Sequence, residues 1–247
     1  MNKAPRHGIA RVMSKLGLGS RSQSAKWVRD GRVCLNGKVV RDPEYPVTQG
    51  RDVVTVDGER QTSSKRRVIM LNKPRGLVTT TRDERGRDTV YHCLGGAGLP
   101  WLAPVGRLDK ASEGLLLFTN DPAWAAGVSA PRSALAKIYH VQIDRLPDDR
   151  LLERMRAGVD VDAEHLSVAK VRCLRIGGKN AWLEIILEEG RNRQIRRLLA
   201  ALDVSVLRLL RVAVGAVSLG NLAKGQWRDL TDDEIRGIFP GRGDGAP

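Results

Sequence analysis

The chain has 247 residues, of which 41% are hydrophobic and 28% charged. That length suits one or two domains and that composition supports a packed core, which excludes disorder as the main state. Forty-two Lys and Arg against 28 Asp and Glu leave a formal charge of +14, an excess that attracts polyanions, nucleic acid first among them. No run approaches the ~18 consecutive apolar residues of a membrane helix, and the basic N-terminus has no apolar run after it, unlike a secretory signal. A cytoplasmic protein without membrane association is therefore expected, and a monomer is the default. Cys34, Cys93 and Cys173 are far apart, and His7, His92, His140 and His165 lack ligand spacing, so neither a disulfide framework nor a metal site is expected.

In chain order, Ile9, Val12, Met13 and Leu16 fall at helical spacing and predict a first amphipathic helix. Gly17 and Gly19 stop it, and Ser20 is a good N-cap for a second helix carrying Arg21, Lys26 and Arg29, which Gly31 ends. Val33–Leu35 and Lys38–Val40 alternate like strands around Asn36-Gly37, a strong tight-turn pair. Asp52–Val56 adds a strand and Asp57-Gly58 another turn. Residues 1–41 hold ten Lys or Arg against the single acid Asp30, so a sixth of the chain carries most of the excess charge. A second basic cluster sits at Arg191, Arg193, Arg196 and Arg197.

The stretch SRSQSAKWVRDGRVCLNGKVV resembles the S4-type RNA-binding domain, over roughly residues 7–58. The resemblance implies two helices and a hairpin forming a basic, RNA-gripping surface, with Arg21, Lys26, Arg29 and Arg32 as RNA-binding residues. A domain over 1–60 is expected, then a polar linker at 61–67 and a second domain at 68–247. In that second part, Val68–Leu71, Leu77–Thr81, Leu115–Thr119, Ile138–Ile143, Val168–Leu174 and Trp182–Leu187 read as strands. Helical patterns lie around Pro122–Ala126, Asp148–Ala157 and Arg193–Leu202. Strands and helices mix without strict alternation, so the fold class is α+β, with a mixed, largely antiparallel sheet flanked by helices. The Gly-Arg-Gly-Asp-Gly end reads as frayed.

In GRLDKASEGLLLFTND, residues 106–121, a charged loop bracketed by glycines runs directly into an apolar strand. That places Asp109 at a sheet edge, on a loop held by a rigid element. Arg107 and Lys110 beside it favour the ionised carboxylate, which can act as nucleophile, base or metal ligand. The segment resembles the signature of the pseudouridine synthases related to the bacterial small-subunit rRNA enzyme, and the family's essential aspartate falls on Asp109. Lys137-Ile138-Tyr139 resembles its K-x-Y motif, which implies that Tyr139 packs on the target base. EGRNRQIRRLLAAL, residues 189–202, resembles its G-x-N-R-Q-I-R-R motif. There Ile195, Leu198, Leu199 and Leu202 make one apolar helix face and leave Arg196 on its flank. The resemblance implies that Arg196 pairs with Asp109 and that Arg191 and Arg193 meet phosphates; Arg107, Lys137 and Arg197 are further RNA-binding candidates. LNKPRGLVTTTRDERGR and the Leu209-x-Arg211 and GQWRDLT stretches resemble the family's opening and closing elements.

The resemblance implies isomerisation of uridine to pseudouridine in ribosomal RNA or a ribosomal subunit precursor, with base flipping, catalysed by Asp109, Tyr139 and Arg196 and needing no cofactor. R-N-R-Q-I-R-R and Q-W-R-D-L-T-D-D-E lean towards the large-subunit members of the family. The alternatives are a small-subunit rRNA target, a non-catalytic ribosome-associated RNA-binding protein, and a glycosidase using the carboxylates of Asp109 and Glu113.

Overall fold

The structure, a computed structural model, describes residues 6–48, 51–60, 65–81, 85–130 and 135–239. Residues 61–64 of the expected linker and the Gly-Arg-Gly-Asp-Gly end lie outside the described residues. The chain divides into two compact units. One comprises residues 1–68, 95–103 and 118–125; the other comprises 69–94, 104–117 and 126–247.

The smaller unit runs β1 (Arg6–Gly8), α1 (Ile9–Lys15), α2 (Arg21–Arg29), β2 (Val33–Leu35), β3 (Lys38–Val39), β4 (Pro46–Thr48), β5 (Val54–Val56) and β6 (Glu59–Arg60). Ile9, Val12 and Met13 of α1 close with Val28, Val33 and Leu35 into one buried cluster, as the helical spacing predicts. Ser20 caps α2, its hydroxyl accepting from the Gln23 N–H at 3.1 Å. Asn36 and Gly37 take φ of 51° and 80°, both left-handed, so the turn twists with its strands. The strands form a sheet in the order β3-β2-β5-β6, and β1 pairs with β4.

The larger unit is built on the sheet β13-β14-β10-β15-β9-β7-β17, whose strands in chain order are β7 (Val68–Lys73), β9 (Glu113–Thr119), β10 (Lys137–Ile143), β13 (Lys170–Ile176), β14 (Ala181–Leu187), β15 (Val206–Val214) and β17 (Trp227–Asp229). β8 (Ala103–Val105) pairs with β9 and β16 (Val217–Ser218) with β15, while β11 (Val159–Val161) and β12 (Glu164–Leu166) make a separate hairpin. The helices are α3 (Pro122–Ser129), α4 (Asp149–Ala157), α5 (Gln194–Ala200) and α6 (Asp232–Gly237). The pairings β10–β14, β10–β15 and β13–β14 are antiparallel, whereas β9 runs parallel to β15. The result is the mixed α+β sheet the element pattern implies. One face of it packs Val141, Ile143, Leu183 and Ile185 against Met155 of α4 and Ile195, Leu198 and Leu199 of α5.

Two expectations are corrected. Leu77–Thr81 is not a strand: only an isolated bridge, Val78 to Thr89, forms there, with the Val78 N–H on the Asp88 carbonyl and the Val78 carbonyl accepting from Val90, while the Thr79 side chain turns to the backbone of Leu108. Conversely, β15, the longest strand described, was not foreseen as one. Register shifts where it pairs with β10, between Ile138 and Tyr139 and between Gln142 and Ile143, break the strict alternation by which a strand is read.

Candidate active site

The loop from Gly106 to Ser112 enters β9 and carries Asp109. Its main chain is fastened from Leu108 to Ser112. The Leu108 carbonyl accepts from Thr79 Oγ1 at 2.7 Å, and the Asp109 carbonyl from Lys73 Nζ at 3.1 Å. Those of Lys110 and Ala111 accept from the Gly76 N–H at 2.8 Å and from Arg196 Nη2 at 3.1 Å. The Ser112 carbonyl accepts from Lys73 Nζ at 2.8 Å. Five successive carbonyls thus have donors, each worth about 1 kcal/mol net and more where the donor is charged. This holds the Asp109 Cα in one place ahead of any ligand.

Lys73 does most of that fastening. It is wholly buried at the end of β7, and its ammonium gives a third hydrogen bond to the Pro74 carbonyl at 3.1 Å. Burial pushes its pKa down to about 8, against the pull of Asp109 and Glu113. The sequence marks the N-K-P-R-G segment, yet nothing in it says that Lys73 turns inward to a loop 36 residues on. Thr79 likewise lies in a stretch whose composition predicts only a strand.

Gly114 follows the loop and lets β9 meet β15. Its φ is +98°, and a Cβ there would sit 2.3 Å from the Arg211 carbonyl oxygen. Only glycine permits that approach. Glu113, one residue earlier, is buried and held by Arg208 (3.1 Å) and Lys224 (2.8 Å). Burial raises its pKa, but these hydrogen bonds outweigh that and hold it below the usual carboxylate range. Glu113 does not line the cavity beside Asp109. The two-carboxylate reading therefore fails: the second carboxylate is a neutralised strut.

Asp109 lines a cavity of about 470 Å³ with Tyr139, Arg196, Arg107, Lys137 and Arg211, a size that suits a single small ligand group. Arg191 and Arg193 line it as well. Tyr139, on β10, is 8% exposed, and its hydroxyl has no hydrogen-bond partner among the described residues. Lys137, two residues before it, donates to the Leu135 carbonyl at 3.0 Å. Burial, then the charge of Arg211, pushes its pKa down. Arg211, in register with Tyr139 on β15, is buried with Nε on the Leu115 carbonyl at 2.8 Å. The sequence reading gave Arg211 no role in the cavity.

Arg196 does not form the direct ion pair with Asp109 that the resemblance implies: no nitrogen–oxygen contact within 4.0 Å joins them. It binds the aspartate's loop at Ala111 instead, and its Nε is buried without a partner. Burial, then the charge of Arg193, lowers its pKa, and Asp109 pulls the other way. The charges interact without touching.

The cavity wall at 188–194 is organised by Gln194, also overlooked in the sequence. Its amide donates to the Ser167 carbonyl (2.9 Å) and to Glu189 (2.8 Å), and accepts from the Arg191 N–H (3.1 Å). Arg193 sits at the start of α5 with φ of 48°, a left-handed conformation that costs a non-glycine residue energy and is common at functional sites. Arg197 does not line the cavity; it is tied to Glu164 (2.5 Å), Asp162 (3.3 Å) and the Val161 carbonyl (3.0 Å). In the smaller unit, Arg21 pairs with Glu44 (2.9 Å), Lys26 with Asp30 (2.6 Å) and Arg32 with Asp57. The exposed Arg29 guanidinium has no such partner among the described residues.

Comparison with known proteins follows the same division. The family model described as RNA pseudouridylate synthase matches residues 67–201, and the S4 domain model matches residues 8–53. An uncharacterized RNA pseudouridine synthase of Aquifex aeolicus is 36% identical over 233 residues, 94% of this chain and 93% of its own. Ribosomal large subunit pseudouridine synthase B of Bacillus subtilis is 30% identical over 231 residues, 92% of this chain and 93% of its own. The crystal structure of a pseudouridylate synthase, 27% identical, superimposes with a TM-score of 0.65 over 94% of this chain and 99% of that one.

Proposed function

Because the chain belongs to the RNA pseudouridylate synthase family and carries an S4 domain, we propose that it isomerises uridine to pseudouridine in ribosomal RNA, that of the large subunit. The choice of subunit is supported by relatives in Bacillus subtilis and Pseudomonas aeruginosa named ribosomal large subunit pseudouridine synthase B. The bond between the ribose and the uracil nitrogen breaks, the base turns, and a bond to a ring carbon forms. That carbon loses a proton and the freed nitrogen gains one, so atoms balance without a cofactor.

The observation that carries this reading is Asp109, on a loop fastened at five carbonyls, lining a cavity otherwise rich in cations. Asp109 starts the cleavage, as nucleophile or as base. Tyr139 packs on the flipped uracil, and such stacking is worth about 1–3 kcal/mol. Arg196, anchored on the aspartate's loop at Ala111, orients the carboxylate as the nucleotide enters. Arg107, Lys137, Arg191 and Arg193 take phosphates. Flipping a paired base costs a few kcal/mol, which phosphate contacts and stacking offset.

Residues 1–60 act as the RNA-gripping domain, 61–67 as linker and 68–247 as the catalytic domain of a cytoplasmic monomer. Arg29 has its charge available; Arg21, Lys26 and Arg32 exchange exposed ion pairs, worth about 0.2–1 kcal/mol each, for phosphate. The test is to map pseudouridines in ribosomal RNA from cells with and without this gene. One or more large-subunit positions should revert to uridine. Reversion confined to the small subunit would overturn the target, and no reversion in any RNA would overturn the activity.

A further inference from the structure

The cavity accounts for one nucleotide, and the sheet has another face. On the face of β13, β14, β10 and β15 turned away from α4 and α5, cross-strand rows bring charge together. Arg175, Trp182, Gln142 and Arg208 form one row, and Arg172, Glu184 and His140 the next. Lys170 and Ile186 follow. Two guanidinium groups lie over the Trp182 ring within cation–π reach, Arg175 at 5.2 Å and Arg208 at 5.5 Å from its centroid.

The carboxylates in these rows are already neutralised. Glu184 is held by Arg172 at 2.6 Å, and Glu113, beside Arg208, carries both Arg208 and Lys224. Five cations (Lys170, Arg172, Arg175, Arg208 and Lys224) thus stand against two saturated acids. Lys170 and Arg175 are exposed and have no ion pair or hydrogen bond among the described residues; Arg172 keeps 67% of its side chain open despite its pair.

We propose that this sheet face is a second RNA-binding surface, contacting the substrate RNA beyond the nucleotide in the cavity. This rests on the reading that RNA is the substrate. Charge complementarity commits it to a polyanion. The indole of Trp182 offers an aromatic face for a base beside guanidinium groups whose N–H groups reach phosphate, the combination by which irregular RNA is bound.

The test compares wild type with the double variant Lys170→Gln, Arg175→Gln, leaving Arg208 in place because it braces Glu113. Affinity is measured at several salt concentrations for a full-length large-subunit rRNA transcript and for a short stem-loop bearing the modified uridine. For the transcript, the Kd should rise roughly tenfold and the slope of log K against log salt should shrink by about 1.4, the loss of two phosphate contacts. The stem-loop should bind both proteins alike. In addition, RNA substituted with 4-thiouridine should crosslink to the peptide spanning 170–182. An unchanged Kd and slope on the transcript, or crosslinks that never reach that peptide, overturn the proposal. So does intact RNA binding with loss of an acidic protein instead. An Asp109→Asn protein separates the two readings: if it still isomerises uridine, the catalytic reading fails while the transcript-binding comparison stands.

Discussion

Lys73 shows how much of this site is held from beneath. Its ammonium spans three carbonyls, two of them in the Asp109 loop. Burial sets its pKa at about 8, below the 10.5 of the unfolded chain. Between those values the unfolded state binds more protons, so this group's contribution to stability rises with pH across the window. Its grip on the loop changes the other way, because deprotonation removes a donor. Single-turnover isomerisation should therefore decline above about pH 8 while the thermal midpoint shows no matching loss from this group. Lys73→Met should be slower and should lack that limb of the profile; an identical limb in both proteins would assign it to another group. Arg196→Met should lower the single-turnover rate on the order of 100-fold with RNA affinity little changed, and Arg196→Lys should restore part of it. Equal rates for Met and wild type would remove Arg196 from the chemistry. The resemblance assigns roles to Asp109, Tyr139 and Arg196, and the structure brings all three to one cavity. Lys73, Thr79 and Arg211 lie in matched stretches without an assigned role, because their partners come from distant segments and a buried cation reads in sequence like a surface one.

At the scale of the element, helices α1, α2, α4 and α5 and most strands follow from spacing, caps and turn pairs. Ser20, Asn36-Gly37 and Asp148, whose carboxylate accepts from the Leu151 N–H at 2.8 Å, are local signals that local physics satisfies. What failed was non-local. Leu77–Thr81 has strand-like composition but forms one bridge, to Thr89, and turns the Thr79 hydroxyl to the Asp109 loop, and β15 is shaped by two irregular registers with β10. The parallel contact of β9 with β15 depends on Gly114, which sequence shows only as the end of a glycine-bracketed loop. Gly114→Ala should destabilise the protein by about 3 kcal/mol, since the Cβ meets main chain that cannot yield without parting the strands. Denaturant unfolding measures this, and a loss below 1 kcal/mol would mean that the strands separate freely.

Over the whole molecule, a charge of +14 points to a polyanion, nucleic acid first, and its uneven placement points to more than one contact region. The structure sorts those cations into tied and free, which composition cannot do. Arg197 is spent on β11–β12, whereas Arg29 is open. Arg21→Gln with Arg29→Gln should weaken RNA binding and reduce its salt slope by about 1.4, leaving the rate at saturating RNA unchanged. An unaltered slope would take the smaller unit out of RNA binding. The central claim is that one carboxylate in the cavity does the chemistry, and Asp109→Asn addresses it without disturbing the clamp, which grips main-chain carbonyls and not the side chain. Purified Asp109→Asn protein should bind ribosomal RNA with wild-type affinity and form pseudouridine at least about 10⁴-fold more slowly. Pseudouridine formed at the wild-type rate would contradict the account.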